Sequence, residues 1–265
     1  MTYHGSSTGQ NADQTKGDTQ TRNSYQTYYK SGYYDQRYPT PNRSMWRRIE
    51  KYLKPAASVL DYGCGSGRYL FALREHVTRA IGFEVSPAAL ALVRERAAAI
   101  AWETVTIVGP ATADLDDHLT SHGQVDLVLC LFGVLGHITD PTERASALRR
   151  MHGALNPDTG HLVISVPNIA RRFRKEQKKG VIDGLVSYSR DVDDVPMHLN
   201  YQLFDPDRFL SELRSAGFKV HRLKAEGVLP ESWLLHSFTA RCLDGLLTPM
   251  CPTAWGYGLV AEASP

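Results

Sequence analysis

The feature that most constrains this chain is a glycine-rich loop between a short apolar run and a predicted helix. The run Ser58-Val-Leu-Asp61 ends in a carboxylate, and it is followed by Gly63, Gly65 and Gly67. Glycines at such points let the backbone adopt a positive φ and approach a ligand at a helix N-terminus. The stretch therefore predicts a β-strand, a ligand-binding loop and a helix over Arg68–His76.

The spacing of the glycines excludes two common phosphate-binding loops. A dinucleotide fingerprint would need glycine or alanine where Arg68 or Leu70 stands, and the Gly-Lys-Ser/Thr of a Walker loop is absent. Asp61, just before the first glycine, repels a pyrophosphate and attracts an ammonium group. The loop therefore favours a ligand with a cationic amino-acid end and no phosphate, and S-adenosylmethionine (SAM) is such a ligand.

Apolar runs alternate with predicted helices after the loop. The next predicted strand, Ala80–Glu84, ends in an acidic side chain that can accept both hydroxyls of a ribose. Ser86 and Pro87 then form an N-cap followed by proline at the first helical position. Further strands are predicted at Thr104–Val108, Val125–Leu131, His161–Val166, Lys219–Leu223 and Tyr257–Ala261. This alternation predicts an α/β domain with a mainly parallel sheet and an antiparallel edge.

These motifs resemble those of class I SAM-dependent methyltransferases, most closely over residues 40–168. The shared pattern is Val59-Leu-Asp61-x-Gly63-Cys-Gly65-x-Gly67, followed by Gly82-Phe-Glu84-x-Ser86. The resemblance implies a Rossmann-like, doubly wound sheet of seven strands with an antiparallel edge strand. It also implies SAM as cofactor and S-adenosylhomocysteine (SAH) as product. The loop and Asp61 would hold the methionyl part, and Glu84 would hold the ribose.

The resemblance extends to further positions of the predicted cofactor site. The acidic residue that contacts adenine in the family would fall near Pro110, where one of the next residues can substitute for it. The segment after the fourth strand lies beside the sulfonium in the family, and it contains His137. The predicted cofactor set is Tyr29, Asp61, Gly63, Cys64, Gly65, Gly67, Glu84, Val85, Thr112, Ala113, Asp114, Leu131 and Phe132.

Three residues are candidates for contact with the methyl acceptor, namely His137, His198 and Tyr201. Methyl transfer from a sulfonium is an in-line displacement that mainly needs alignment and exclusion of water. A general base is needed only if the nucleophile must lose a proton early. His137 either supports its loop or contacts cofactor or acceptor, and His198 is a possible base. No metal site is predicted.

Composition divides the chain into regions. Residues 1–24 contain few apolar side chains, which predicts a disordered tail before a single methyltransferase domain over residues 25–265. Six of the 13 tyrosines lie in residues 25–41. We call this segment the arm, and we expect it either to pack on the domain or to close over a ligand as a lid. Residues 169–204 break the alternation and predict an insertion on the substrate side.

The insertion carries a basic stretch, Arg171–Lys179, that is either solvated or binds phosphate. It then turns acidic at Asp191, Asp193 and Asp194, which weakens the case for nucleic acid. We therefore predict methyl transfer to a nitrogen or oxygen atom of a small metabolite or natural-product intermediate. A loose similarity to tRNA wobble-uridine methyltransferases keeps RNA as one alternative acceptor. A SAM-binding protein without activity is another alternative.

Several features predict a cytoplasmic protein. The longest strongly apolar stretch, Val125–Ile138, is too short to span a bilayer, and the N-terminus is polar. The four cysteines show no CxxC pairing, which fits a reducing compartment. Residues 231–250 contain an apolar helical face that we expect in the core or at a dimer contact. The chain is therefore predicted to be a monomer or a homodimer.

Overall fold

A seven-stranded sheet carries the fold in the computed structural model, which describes residues 24–192 and 195–265. Its strands are β1 (Ser58–Tyr62), β2 (Arg79–Phe83), β3 (Val105–Val108), β4 (Leu127–Cys130), β5 (His161–Pro167), β8 (Lys219–Gly227) and β9 (Gly258–Ser264). Their order across the sheet is β3-β2-β1-β4-β5-β9-β8. β9 is antiparallel to both of its neighbours, β5 and β8. The predicted doubly wound sheet is confirmed, and its antiparallel strand lies second from one edge.

Helices cover both faces of this sheet. The main ones are α2 (Arg43–Ile49), α3 (Pro87–Ala99), α4 (Thr112–His122), α5 (Pro141–Ala154) and α7 (Pro206–Ser215). Alternate residues of β4 point to opposite faces, so that Val128 packs with α4, α5 and α7 while Leu127 packs with α2. Burial on both faces explains why the strands are almost continuously apolar.

Side chains cap the N-termini of α3 and α5, and the cap predicted at Ser86 is one of them. The Asp140 side chain accepts hydrogen bonds from the backbone N–H groups of Thr142 and Glu143, at 2.7 and 2.9 Å. The Ser86 hydroxyl accepts the N–H of Ala89 at 3.4 Å. Such bonds satisfy N–H groups that have no partner within the helix, and they define where α5 and α3 begin.

The predicted helix over Arg68–His76 is wrong. The segment is a series of turns that contains one short 3-10 helix, Phe71–Leu73. Its side chains divide between two apolar clusters, because Tyr69 packs near α2 while Leu70 packs near α3. No single apolar stripe therefore favours a regular α-helix here.

Two segments lie outside the sheet and cover one of its edges. In the arm, residues 24–30 are helical and α1 (Tyr33–Arg37) follows. In the predicted insertion, a short helix, α6 (Arg174–Gln177), precedes an antiparallel hairpin of β6 (Leu185–Val192) and β7 (Val195–Gln202). Ser24 is buried and hydrogen-bonds the backbone of His198, so the end of the predicted tail belongs to the domain. The remainder of that tail, residues 1–23, lies outside the described residues.

Two helices, α8 (Glu231–His236) and α9 (Phe238–Leu247), connect β8 with β9. The apolar face of residues 231–250 is expected in the core or at a dimer contact. The core alternative is wrong for most of these side chains, and the dimer contact stays a prediction. Phe238, Leu246 and Met250 are 67%, 72% and 85% exposed. Periodicity identified the helices, but it does not reveal whether another element covers their apolar face. Within the described ranges, no helix has the length and apolarity needed to cross a membrane.

Candidate active site

The glycine loop is fixed to the end of the neighbouring strand β2. The N–H groups of Gly63 and Cys64 both donate to the carbonyl of Phe83, at 2.8 and 3.0 Å. Gly63, Gly65 and Gly67 all have positive φ, at 82°, 57° and 95°. This left-handed backbone is open to glycine at little cost, as the sequence indicated.

Glu84 organises the loop from the other side. Its carboxylate accepts three backbone N–H groups, from Gly65 at 2.9 Å and from Val85 and Ser86 at 2.8 Å each. Burial raises the pKa of this carboxyl group, and the three hydrogen bonds oppose the rise. The predicted ribose acceptor therefore also holds the loop in shape.

Asp61 lies buried at the end of β1, close to Glu84. Burial and the charge of Glu84 raise the pKa of Asp61 to about 7, and a backbone hydrogen bond from Leu70 partly offsets this. Burial and the same two carboxyl groups also raise the pKa of the Cys64 thiol. Two neighbouring buried carboxyl groups are stabilised by a cation and by hydroxyl donors. These two hydrogen-bond acceptors fit the ammonium group and the ribose hydroxyls of SAM.

The arm contacts this loop directly. The Tyr29 hydroxyl lies above Gly65, and burial raises the pKa of that phenol. Asp35 of α1 accepts the hydroxyl of Ser66 and pairs with Arg96 of α3, each at 2.5 Å. The arm is therefore bonded to both the glycine loop and α3.

The residues predicted near adenine lie at the start of α4. Thr112, Ala113 and Asp114 are all exposed, and the Asp114 carboxylate accepts the N–H of Ala111 at 3.0 Å. Val85, which follows β2, is 37% exposed. Thr112 and Ala113 thus stand at the C-terminal edge of β3, while Asp114 helps to cap the helix.

A strained turn follows β4. Leu131 is buried, and Phe132 and Gly133 both have left-handed φ, at 59° and 76°. The N–H of Phe132 donates to the hydroxyl of Ser165 on β5 at 3.0 Å, and the Phe132 ring packs 4.6 Å from that of Tyr38 in the arm. A non-glycine residue with positive φ persists only where its surroundings hold it, which is common at functional sites.

A cavity of about 450 Å³ opens beside this turn. We call it the acceptor cavity. Its walls come from the arm, the turn after β4, the hairpin, the residues around α6 and the start of α8. Tyr25, His137, Tyr188 and Tyr201 line it. The structure thus brings two of the three predicted acceptor residues together.

His137 lies between two tyrosines in this wall. Its Nε2 atom is 2.6 Å from the Tyr25 hydroxyl oxygen, and its ring centroid is 4.1 Å from that of Tyr201. Burial lowers the pKa of His137 to about 3, although a backbone contact with Asn200 opposes the shift. The imidazole is therefore neutral near pH 7, and it suits positioning better than proton uptake.

His198 is separated from the cavity. It is exposed, and its Nδ1 atom lies 2.7 Å from the hydroxyl of Ser189 on the paired strand. Side chains alternate between the two faces of a strand, and Tyr201 stands three positions further along β7. His198 therefore faces outward where Tyr201 faces the cavity, and we assign it no part in the site.

The cavity also contains a carboxyl group that the sequence reasoning missed, that of Glu226. The strand predicted over Lys219–Leu223 continues to Gly227, which brings Glu226 to its C-terminal end. An acidic residue directly before a glycine at the end of a strand was the available signal. The shorter predicted strand left it in a connecting segment.

Comparison with known proteins identifies the family. The family model described as "Methyltransferase domain" matches residues 34–223. The CcbJ methyltransferase from Streptomyces caelestis has a similar structure, with a TM-score of 0.60, 18% identity, and coverage of 85% of this chain and 90% of that one. A SAM-dependent methyltransferase from Clostridium acetobutylicum has a TM-score of 0.60 at 10% identity, covering 84% and 92%. Among curated proteins none matches.

The family match covers well over half of the chain, and it spans the glycine loop, the turn after β4 and the hairpin. The structural matches have the same fold. The carboxyl groups of Asp61 and Glu84 fit the cofactor that these enzymes use. The chain therefore belongs to the methyltransferase domain family, and it is a class I SAM-dependent methyltransferase.

Proposed function

We propose that this methyltransferase transfers the methyl group of SAM to a nitrogen or oxygen atom of a small metabolite or natural-product intermediate. The observation that carries the proposal is the acceptor cavity beside the Phe132–Gly133 turn. Its walls come from segments that are distant in the sequence, and they surround a space of about 450 Å³. Such a space suits a compact acceptor better than a long polymer.

The orientation of the basic stretch supports a small acceptor. Arg171 is held by two backbone carbonyl groups, and the Arg172 guanidinium stacks 4.8 Å from the centroid of the Tyr257 ring. Arg174 and Lys175 line the cavity. Positive charge around a cavity favours a small anionic group, whereas RNA binding uses an extended basic surface.

The reaction makes modest chemical demands on the chain. When bound, SAM supplies an electrophilic methyl group on a sulfonium, so the protein mainly holds and orients the reactants and excludes water. Asp61 and Glu84 would hold the ammonium and the ribose hydroxyls. The Phe132–Gly133 turn would orient the reacting groups, and the tyrosines of the arm would exclude water. His137, neutral and bonded to Tyr25, would position its neighbours.

Two pairs of basic residues provide a matched test against RNA. Arg174→Gln with Lys175→Gln removes charge from the cavity, whereas Lys178→Gln with Lys179→Gln removes exposed charge outside it. Transfer of labelled methyl groups is measured to a pool of small metabolites and to bulk tRNA. We expect label in small molecules, reduced by the first pair alone. Label in tRNA, reduced by both pairs, would contradict the proposal.

We also propose that the protein works in the cytoplasm. Its four cysteines are unpaired, and Cys64 and Cys130 are buried. A reducing compartment keeps thiols in this state.

A further inference from the structure

The acceptor cavity contains the carboxyl group of Glu226, and methyl transfer by itself does not require this group. It stands near the C-terminal end of β8, and β8 runs parallel to β5 because both pair antiparallel with β9. Glu226 therefore lies at the same edge of the sheet as the Phe132–Gly133 turn. Its carboxyl group lies across the backbone of Gly258, where a Cβ atom would collide with it. Glycine at that position makes room for the carboxyl group.

Charged and polar groups from four elements surround Glu226. Ser165 on β5 donates a hydrogen bond to the carboxyl group. Arg172 of the insertion, Arg68 of the glycine loop and Glu231 of α8 act on it electrostatically. Arg68 forms an ion pair with Glu231 instead, because its Nη2 atom lies 2.6 Å from the Oε1 atom of Glu231.

Glu226 therefore differs from the other carboxyl groups around it. Among the described residues, the ion pairs within 4.0 Å include Glu231 but not Glu226. Burial, with the charge of Glu231, raises the pKa of Glu226 to about 7. The cavity thus contains a carboxyl group without a cation in contact with it, and this group exchanges its proton near neutral pH.

Aromatic rings share the space with this carboxyl group. Tyr25, Tyr188 and Tyr201 line the same cavity, whereas Arg172 already stacks on the rings of Phe173 and Tyr257, at 5.3 and 4.8 Å from their centroids. Ring faces attract ammonium groups, most strongly where water is excluded. A carboxylate together with ring faces therefore binds a protonated amine better than an alcohol of the same shape, which gains neither attraction.

We propose that the methyl acceptor is a primary or secondary amine that also carries an anionic group. Its ammonium is held by Glu226 and the aromatic walls, and its anionic group lies towards Arg174 and Lys175. This inference rests on the proposed function and narrows its acceptor atom to nitrogen. Glu226 was absent from the residues predicted from the sequence, and its role follows from its place at the end of β8.

The reaction balances with Glu226 as the proton acceptor. The ammonium transfers one proton to the Glu226 carboxylate, which leaves a lone pair on nitrogen. The nitrogen attacks the methyl carbon, the carbon–sulfur bond breaks, and its electron pair stays on sulfur. SAH is then a neutral thioether, and the methylated amine carries the positive charge. Glu226 releases its proton to solvent before the next turnover.

The binding test uses two probes of the same shape on the full-length protein saturated with SAH. Benzylamine is protonated at pH 8, and benzyl alcohol is its neutral counterpart. Calorimetry measures both affinities for the wild type, for Glu226→Gln and for Glu176→Gln, a matched carboxyl group that also lines the cavity. We expect the amine to bind about tenfold more tightly or better in the wild type and in Glu176→Gln, and the preference to vanish in Glu226→Gln.

The outcomes separate this inference from the function on which it rests. SAH affinity in the same samples shows whether Glu226→Gln is folded. Equal affinities in the wild type, no amine binding, or a preference that survives Glu226→Gln would overturn the amine assignment. In the labelled transfer assay, label in hydroxyl compounds but not in amines would overturn it while leaving a small-molecule function intact. Label confined to tRNA would overturn the proposed function itself.

Discussion

The hydroxyl oxygen of Tyr29 lies directly over Gly65, 2.6 Å from the point where a Cβ atom on that residue would stand. The two residues come from the arm and from the loop predicted to hold the methionyl part of SAM. Burial and the nearby carboxyl group of Glu84 raise the pKa of this tyrosine, so it keeps its proton and can donate. This contact brings the arm to the predicted cofactor site.

Tyr29→Phe removes that hydroxyl and leaves the ring in place. One hydrogen bond is worth about 0.5–1.5 kcal/mol, so we expect SAM and SAH to bind roughly 2- to 10-fold more weakly. Tyr33→Phe is the matched control, because the Tyr33 hydroxyl accepts from Arg37 within the arm at 3.2 Å. Calorimetric titration of both variants gives the comparison. Equal losses in the two variants would indicate a general effect on the arm.

Glu84→Gln tests the predicted ribose acceptor with nearly unchanged shape. The amide loses charge-assisted hydrogen bonds worth about 1.5–3 kcal/mol, so SAM affinity should fall roughly 10- to 150-fold. Glu95→Gln, an exposed change on α3, should leave it unaltered. Because Glu84 also accepts three backbone N–H groups, thermal unfolding of the ligand-free variants separates loss of fold from loss of binding. Unchanged SAM affinity in a folded Glu84→Gln would refute the assignment.

The predicted cofactor-binding residues around the glycine loop could be found from the sequence because they lie close together along the chain. Asp61, the three glycines and Glu84 lie within 24 positions of one another, and parallel strand ends bring them to one edge. The sheet followed from apolar runs of the right length. The predicted helix after the loop failed because its side chains serve two clusters, which periodicity does not reveal.

The acceptor cavity depends on contacts between distant residues. Tyr25 and His137 are 112 positions apart, and they meet because the arm packs against the turn after β4 and against the hairpin. The hairpin lies in the segment that the sequence predicted only as an insertion, and its mixture of polar and apolar residues did not identify its two strands. Glu226 came to the cavity because β8 extends further than its apolar residues indicated. Such features follow from tertiary packing, so local patterns carry little information about them.

The ionisation of Asp61 gives a prediction about pH. Its pKa in the folded protein is about 7, above the ordinary value of 3.8. A raised carboxyl pKa contributes stability that is complete below pH 4 and is lost as the pH rises towards 7. Ligand-free protein should therefore become less stable across this interval, and Asp61→Asn should show a smaller decrease. Denaturant unfolding at several pH values measures the difference between the two proteins.

Binding of SAM should reverse the rise in the pKa of Asp61. The ammonium of SAM stabilises the ionised carboxylate and thereby lowers the pKa of Asp61. Binding near pH 6 should then release up to about one proton in the wild type, and fewer in Asp61→Asn. Calorimetry in buffers of different ionisation enthalpy counts these protons. Proton uptake on binding, or equal release in both proteins, would contradict an ammonium contact at Asp61.

Gly133 tests whether the turn after β4 shapes the acceptor cavity. Its φ of 76° disfavours any side chain, and a Cβ atom there would collide with the hydroxyl of Tyr201. Gly133→Ala should cost about 1–3 kcal/mol of unfolding free energy and displace the Tyr201 ring from the wall. Gly153→Ala is the control, since Gly153 lies in α5 with open space around it and should be neutral or stabilising by about 0.4–1 kcal/mol. Denaturant unfolding gives both energies. SAH affinity should survive Gly133→Ala because the collision lies on the acceptor side, so a variant that binds SAH but no longer binds benzylamine would assign this turn to the acceptor.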